Sequence, residues 1–125
     1  MILRLLLQYP DTTITGNINS LVQVINNLIS NAIQAYNGRP DGSIDLIVDY
    51  KDNKIIFSII DHGCGISKEV QSKLFSQMIT TKGQNGTGLG LFMSYSTIKG
   101  HFGGDITFSS ELGKGTRFNI LLPKS

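Results

Sequence analysis

The chain has 125 residues, a formal net charge of +2 and a hydrophobic fraction of 40%. This length suffices for one buried core, so residues 1–125 are expected to form a single domain. The small net charge and the lack of a Lys/Arg cluster argue against a nucleic-acid partner, and the periodic hydrophobic pattern excludes a disordered chain. The single cysteine, Cys64, excludes an intramolecular disulfide and is typical of a reducing compartment.

The longest predicted element is a helix over Asn17–Gly38, which two short strands, Ile2–Gln8 and Thr12–Thr15, precede. Asn17 is the expected N-cap, and Asn37 with Gly38 is the expected left-handed stop. The helix is long enough to span a bilayer, but its repeated Asn and Gln residues exclude that role. Apolar residues at three- and four-residue spacing predict its buried face: Leu21, Ile25, Leu28, Ala32 and Ala35, widened by Val22, Ile29 and Ile33.

The other face of this helix is polar but carries no charge, and no charged residue lies between Thr12 and Gly38. A solvated helix face normally carries Lys and Glu, so a neutral amide face suggests the wall of a cavity. Asn27 and Asn31 stand four residues apart, which places their amides side by side. An amide oxygen is a suitable ligand for Mg²⁺. An Asn-rich surface helix explains the same pattern.

The remaining elements are predicted to be hairpins separated by helices. The first hairpin is an alternating strand from Gly42 to Tyr50, a turn at Lys51–Lys54 and a strand over Ile55–Ile60 that is expected to be buried on both faces. Two helices follow, one from Lys68 to about Phe75 capped by Ser67 and one from Leu89 to Lys99 ended by Gly100. A closing hairpin joins Asp105–Ser110 with Thr116–Leu122. This order favours an α+β fold, a two-layer sandwich with a mixed, mostly antiparallel sheet and three helices on one face.

Two segments could contact a ligand. Asp61 ends an apolar strand, where a carboxylate is costly unless a group donates to it. The N–H groups of Gly63 and Gly65 could donate in an ordinary turn, and so could a ligand such as adenine, whose exocyclic amine is a donor. The segment Gly86–Leu91 opens the last helix, where free N–H groups can bind an anion, although a flexible loop explains it as well. It matches neither the dinucleotide fingerprint nor the P-loop.

Together these segments resemble the GHKL ATP-binding superfamily, and most closely the ATP-binding catalytic domain of sensor histidine kinases. The resemblance covers the chain from about Ile14 to Pro123 and rests on five blocks in family order. Asn27–Ala32 is similar to the N box, Asp61–Ile66 to the first glycine box, Leu74-Phe75 with Thr80–Lys82 to the F box and its lid, Gly86–Leu91 to the second glycine box, and Gly113–Thr116 with Phe118 to the closing turn and strand.

The resemblance implies ATP and Mg²⁺ as ligands. It makes Asn31 the metal ligand, Asp61 the acceptor for the adenine amine and Lys82 the cation for the terminal phosphate, and it puts Thr116 near the base through a water. Gln34 stands where some relatives have a basic residue, so more charge neutralisation would fall to Lys82. The lid, from about Gln77 to Gly88, is expected to be mobile until phosphates engage it. The other implied cofactor-binding residues are Gly63, Gly65, Ile66, Thr81, Gly86, Thr87, Gly88, Leu89, Gly90 and Leu91.

Asn27 and Lys82 are the implied catalytic residues. ATP-hydrolysing members of the superfamily carry a glutamate base at the position of Asn27, because water must lose a proton to attack phosphorus. Asn27 cannot be a base, which favours a histidine acceptor. His62 and His101 do not fit the acceptor pattern, so the resemblance implies an acceptor on a separate dimerisation domain, with a response regulator downstream. A silent nucleotide-binding module and a weak ATPase are the alternatives. The domain is expected to be cytoplasmic, whether or not its parent protein is membrane-anchored.

Overall fold

The computed structural model describes residues 2–7, 17–39, 41–79 and 87–123. The predicted strand Thr12–Thr15 and the predicted site residues Thr81, Lys82 and Gly86 lie outside the described residues. In the described part of the chain, no helix is long and apolar enough to cross a membrane. The described elements are β1 (Ile2–Leu7), α1 (Ile18–Gln34), β2 (Ser43–Lys51), β3 (Lys54–Asp61), α2 (Lys68–Ile79), α3 (Thr87–Phe102), β4 (Asp105–Glu111) and β5 (Gly115–Pro123).

The five described strands form one sheet in the order β1-β2-β3-β5-β4. β1 runs parallel to β2, and the other three neighbouring pairs are antiparallel. Asp52 and Asn53 form the two-residue turn between β2 and β3 with φ of 55° and 60°, a conformation that Asp and Asn tolerate and that suits tight hairpins. The predicted mixed, mostly antiparallel α+β sheet is confirmed.

The helices cover one face of this sheet. α1 and α3 bury their apolar sides against it, and α2 packs mainly against α3, with Leu74 reaching the edge of the core. Fully burying one such aliphatic side chain stabilises the fold by about 1.5–3 kcal/mol. The most deeply buried core residues come from both layers: Leu28 and Ile98 from the helices, and Ile44, Ile59, Ile120 and Leu122 from the strands.

The other face of the sheet has no helical layer in the described residues. There Ser58, only 2% exposed, donates from Oγ to Asn119 Oδ1 at 2.8 Å, and Arg117 Nη2 donates to Ser58 Oγ at 3.1 Å. Ile56 and Ile60 on this face are half-buried. The expectation that this strand is buried on both faces is therefore only partly correct. Neighbouring side chains cover its outer face incompletely, so Ser58 is buried but Ile56 and Ile60 are half-buried.

α1 begins and ends as its sequence predicts. Asn17 Oδ1 accepts from the backbone N–H groups of Asn19 and Ser20, at 2.8 and 3.4 Å. The helix proper ends at Gln34, and the chain then passes through Asn37 and Gly38 with φ of 53° and 83°. The predicted N-cap and left-handed stop are confirmed.

The predicted buried face of α1 needs correction at its edges. Val24 is buried although the pattern omitted it, whereas Val22 and Ile33 are 46% and 47% exposed. Each residue turns a helix by about 100°, so Val22 and Ile33 lie too far round from the buried stripe to reach the sheet. Ile29, the third residue of the predicted widening, does pack against the core.

The bounds of the other two helices also differ from the prediction. α2 continues to Ile79 rather than about Phe75, and α3 runs from Thr87 through Gly100 to Phe102. An interior glycine costs about 1 kcal/mol relative to alanine, which is less than burying the Phe102 ring contributes. The stretch predicted as a lid therefore has helical residues at both of its ends, and residues 80–86 lie outside the described part.

Candidate functional site

Polar side chains form a short row across the helix-covered face, at one end of the sheet. Asp61 of β3 pairs with Thr116 of β5, and Thr116 pairs with Ser110 of β4. The hydroxyl oxygens of Ser110 and Thr116 lie 2.8 Å apart. The next row along the same face is apolar, with Phe118 between Ile59 and Phe108. The polar groups thus border an apolar floor, which suits a flat, partly polar ligand.

Asp61 is a buried carboxylate, with 5% of its surface exposed. The predicted donor Gly63 does donate its N–H to Oδ1 at 2.9 Å, whereas no such bond joins Gly65 to Asp61 in the described residues. Burial raises the pKa of Asp61, because desolvation disfavours the charged form, while hydrogen bonds from the backbone of Gly63 and Thr116 and the nearby His62 oppose that rise. A further hydrogen-bond donor, such as one on a ligand, would therefore stabilise the ionised form of the Asp61 carboxyl.

The loop after Asp61 is held by two distant segments. Cys64 N–H donates to the carbonyl of Ala35 at the end of α1, at 3.1 Å, and Gly113 N–H of the β4–β5 turn donates to the carbonyl of Cys64 at 2.8 Å. His62 N–H donates to the buried Tyr36 hydroxyl at 2.8 Å. These bonds fix the loop on both sides, so its backbone is positioned before any ligand arrives.

Gly63 and Gly65 are required by this packing. A Cβ on Gly63 would lie 2.5 Å from the Ala35 carbonyl oxygen, and a Cβ on Gly65 would lie 2.1 Å from the carbonyl oxygen of Glu111. Gly65 also has φ of +70°, which favours glycine. Gly65 lines a cavity beside the polar row, whereas Gly63 does not. A direct contact from Gly63 to a cofactor remains a prediction.

A cavity of about 260 Å³ opens between α1, α3 and the polar row. It is slightly smaller than the roughly 300–1,000 Å³ of typical ligand pockets. Six of the predicted site residues line it: Asn31, Asp61, Gly65, Ile66, Leu91 and Thr116. Six further lining residues had no predicted contact with the ligand: Ala32, Gln34, Ala35, Cys64, Leu74 and Phe118.

Some of those further residues carried a detectable signal. Ala32 and Ala35 are small side chains three residues apart on the face of α1 next to Asn31, and small residues leave room for a ligand beside a helix. Gln34 belongs to the uncharged polar stripe that predicted a cavity wall. Cys64 lies within the segment similar to the first glycine box, but the bonds of its loop to α1 and the β4–β5 turn are what bring it to the cavity.

The two asparagines of α1 have different surroundings. Asn27 does not line the cavity, and its Nδ2 donates to the Oγ of the buried Ser94 on α3 at 3.2 Å. Asn31 lines the cavity, and among the described residues no group hydrogen-bonds to its half-buried side-chain amide. Buried polar groups normally have a partner, so the Asn31 amide is available to a ligand.

α3 reaches the same cavity through Leu91, just after its first turn. Thr87–Gly90 form that turn, and Leu91, buried immediately after it, is a lining residue. The first N–H groups of a helix have no partner within the helix, and the helix dipole favours an anion there. Backbone contacts from Thr87, Gly88, Leu89 and Gly90 to phosphates remain a prediction.

The donor set suits a metal that is held partly by a ligand. Within the described residues, no group of three His, Cys, Asp or Glu side chains could hold a metal ion. Mg²⁺ does not need such a group, because it is commonly bound by one or two protein oxygens together with phosphate oxygens and water. The amide of Asn31, which has no partner in the part of the chain that the structure describes, fits that requirement.

The raised pKa of Asp61 predicts a dependence of stability on pH. The folded protein holds this proton more tightly than the unfolded chain, so the free energy of unfolding contributed by Asp61 falls as pH rises from 3.8 through the raised pKa. Asp61→Asn should remove that fall, so the stability of the variant relative to the wild type should increase across this window. Denaturant unfolding at several pH values between about 4 and 7 measures it.

Asp52→Asn is the matched control for that experiment. Asp52 is exposed at the tip of the β2–β3 turn, and asparagine tolerates its φ of 55°. This variant makes the same chemical change away from the cavity, so it tests whether the effect is specific to Asp61. Parallel curves for Asp61→Asn and the wild type would contradict the assignment.

Sequence comparison assigns this arrangement of helices, sheet and cavity to a family of ATPase domains. Residues 16–125 match the family described as histidine kinase-, DNA gyrase B- and HSP90-like ATPases, and the chain belongs to this family. Within the family it is of the histidine kinase type. It is 42% identical over 104 residues to the signal transduction histidine-protein kinase AtoS of Escherichia coli, and 38% identical over 112 residues to sporulation kinase A of Bacillus subtilis.

Those alignments cover 82% and 89% of this chain but only 16% and 18% of the two relatives. The sensor protein SrrB of Staphylococcus aureus is 40% identical over 115 residues, which are 88% of this chain and 19% of that protein. The chain thus spans less than a fifth of the curated relatives it matches. The resemblance to histidine kinase catalytic domains inferred from the sequence is confirmed.

Solved structures agree on the fold. The catalytic domain of the histidine kinase ThkA superposes with a TM-score of 0.78 at 28% identity, covering 98% of this chain and 80% of that one. Full-length ShkA in complex with AMPPNP gives 0.80 at 25% identity, covering 99% of this chain and 26% of ShkA. ThkA in complex with the response regulator TrrA gives 0.77 at 26% identity, with 99% and 34% covered.

Proposed function

We propose that this domain binds Mg-ATP in the cavity and transfers the γ-phosphoryl group to a histidine on a separate dimerisation domain, in two-component signalling. One observation carries the proposal. A buried carboxylate, Asp61, and the Asn31 amide, which has no partner among the described residues, line the same cavity, and Leu91, just after the first turn of α3, lines it as well. An adenine nucleotide has a matching group for each of these features. Its amine can donate to Asp61, its phosphates can share a metal ion with Asn31, and their negative charge suits the start of the helix.

Asp61 would recognise the base. An ionised carboxylate only accepts hydrogen bonds, and adenine presents an exocyclic amine where guanine presents a carbonyl. Gly63 already donates to Oδ1, and an amine that donates to this carboxylate would add to the charge stabilisation. ShkA binds the adenine nucleotide analogue AMPPNP, which supports the same ligand class here.

Asn31 and α3 would hold the phosphates. The free N–H groups of the first turn of α3 would bind phosphate oxygens, and Asn31 would contribute one oxygen ligand to the magnesium ion. Bound Mg²⁺ neutralises the negative charge that develops on the phosphoryl oxygens. Lys82 and Thr81 are proposed to assist from the segment after α2, and Gly86 from the loop before α3.

The character of Asn27 supports histidine as the acceptor. Its amide donates to Ser94 Oγ and has no basic atom that could take a proton. Water must lose a proton to attack phosphorus, whereas the lone pair of a neutral imidazole can attack directly. The domain would then act by positioning and by charge neutralisation, as is usual for phosphoryl transfer. The complex of ThkA with TrrA supports a response regulator as the downstream partner.

The test is transfer from γ-labelled ATP to separately prepared helical domains that carry a candidate histidine. We expect acid-labile label on a matching acceptor domain and none on its His→Gln variant. The isolated chain should acquire no such label, and label on the exposed His62 or His101 would contradict the proposal. Steady ATP turnover by the isolated chain would favour a weak ATPase. ATP binding without phosphoryl transfer to any acceptor would favour a silent nucleotide-binding module.

Asn31→Ala should remove the dependence of triphosphate binding on Mg²⁺. Alanine preserves the helix but supplies no oxygen ligand. We expect the affinity for an ATP analogue with Mg²⁺ to fall roughly tenfold or more, about 1.4 kcal/mol, while magnesium-free ADP binding changes much less. Calorimetric titration with and without Mg²⁺ measures both. Asn26→Ala, an exposed asparagine of the same helix, is the control and should match the wild type.

A further inference from the structure

Ser110 of β4 makes three hydrogen bonds at the edge of the cavity. The backbone N–H of Ile66 donates to its Oγ at 2.8 Å, and its Oγ donates to the carbonyl of Gly115 at 2.9 Å. Its third neighbour is the hydroxyl of Thr116, whose Oγ1 lies 2.8 Å away. Ser110 is half-buried and does not itself line the cavity, whereas Thr116 is 6% exposed and does.

The chemistry of these groups fixes the direction of the bond between the two hydroxyls. A hydroxyl has one proton to donate and two lone pairs to accept with. The carbonyl of Gly115 can only accept, so the proton of Ser110 points to it, and one lone pair of Ser110 is taken by the Ile66 N–H. The remaining lone pair accepts from Thr116. The proton of Thr116 is therefore used, and its Oγ1 has only lone pairs left.

We propose that Ser110 is a positioning residue that makes Thr116 an obligate acceptor toward the cavity and thereby contributes to the choice of purine. The proposal rests on the nucleotide site proposed above. Asp61, the register partner of Thr116, is also an acceptor when ionised. Two neighbouring acceptors match the two N–H groups of a 6-amino purine when the contacts are direct. A 6-oxo purine presents a carbonyl there, which has no proton to give, and keeps only its N1–H as a donor beside it.

The backbone around Ser110 has a second anchor that does not use its hydroxyl. Gln71 of α2 donates from Nε2 to the carbonyl of Ile66 at 2.7 Å and to the carbonyl of Ser110 at 3.0 Å. Removing the Ser110 hydroxyl would therefore leave the loop after Asp61 tied to β4. In Ser110→Ala the proton of Thr116 loses its acceptor, and the hydroxyl becomes free to rotate and donate into the cavity.

The experiment compares the affinities of ATP and inosine triphosphate, both with Mg²⁺, in the wild type and Ser110→Ala. The wild type should prefer ATP, and the variant should narrow that preference roughly 2- to 10-fold, the range for one neutral hydrogen bond. Ser110→Thr keeps the hydroxyl and should restore the preference. Ser109→Ala, the exposed neighbour on the opposite face of the sheet, should leave the preference unchanged.

A merely structural role gives a different result. If Ser110 only supports the loop through Ile66, both nucleotides should weaken equally and their ratio should stay constant, which would overturn the proposal. In a Thr116→Val background, which lacks the hydroxyl, Ser110→Ala should no longer change the ratio, and a persistent change would also overturn it. Failure of the wild type to bind ATP would instead contradict the proposed function itself.

Discussion

Asp61→Asn is expected to lower the affinity for ATP roughly 10- to 150-fold. The substitution replaces a charge-assisted hydrogen bond to the adenine amine, worth about 1.5–3 kcal/mol, with a neutral one. Asparagine still offers an oxygen to the N–H of Gly63, so the turn after β3 should survive. Calorimetric titration with an ATP analogue measures the loss. Together with the pH experiment, this titration separates a loss of binding from a change in stability.

Asp52→Asn makes the same chemical change at the other end of the β2–β3 hairpin. Its affinity for the analogue should equal that of the wild type, because Asp52 lies in the turn opposite the end where Asp61 pairs with Ile44. Equal affinities for Asp61→Asn and the wild type would mean that Asp61 only braces its own turn. A gain in affinity for GTP alongside the loss for ATP would support the proposed contact, because the asparagine amide can donate to the guanine carbonyl.

Gly65→Ala is expected to be the most destabilising of four glycine substitutions. Its φ of +70° costs an alanine about 1–2 kcal/mol, and its Cβ would also lie 2.1 Å from the Glu111 carbonyl oxygen. At the roughly 4–8 °C per kcal/mol of small domains, the melting temperature should fall by about 5 °C or more. Relief of the clash requires movement of the β4–β5 turn, so nucleotide binding should weaken as well.

Three other glycines separate the cost of a positive φ from the cost of a close contact at the Cβ. Gly38 has φ of +83° with nothing near its Cβ position, Gly63 has the close contact to Ala35 without a positive φ, and Gly100 has neither. Gly38→Ala should show the backbone cost alone, Gly63→Ala the steric cost alone, and Gly100→Ala should stabilise α3 by about 0.5–1 kcal/mol. Equal melting temperatures for Gly65→Ala and Gly38→Ala would show that the contact with Glu111 is unimportant.

Local sequence was sufficient for features that depend on near neighbours. The N-cap at Asn17, the left-handed residues Asn37 and Gly38, and the turn at Asp52 are decided within a few residues, because capping and turn geometry are local. The alternating strands predicted both hairpins and the α+β class. Asp61 was predicted as a site residue because it ends an apolar strand, where a carboxylate is costly unless a group donates hydrogen bonds to it.

Helix bounds and the edges of the buried stripe depended on distant partners. α3 passes Gly100 because Phe102 is buried beyond it, and nothing near Gly100 in the sequence reports that burial. Val22 and Ile33 look like part of the apolar face, but the sheet reaches Val24 instead. Propensity and periodicity describe a helix alone, whereas packing decides which of its sides is covered.

The sequence by itself determined the family, the strand and helix types, and the candidate groups at Asn31, Asp61 and Thr116. The tertiary structure alone decided which of these groups have partners. Asn27 and Asn31 look alike in the sequence, yet α3 brings Ser94 to Asn27 and leaves Asn31 facing the cavity. Likewise, Gly63 and Gly65 fit against Ala35 and Glu111, and Ser110 meets Ile66 from 44 residues away. Such contacts join segments far apart in the chain, so no local pattern records them.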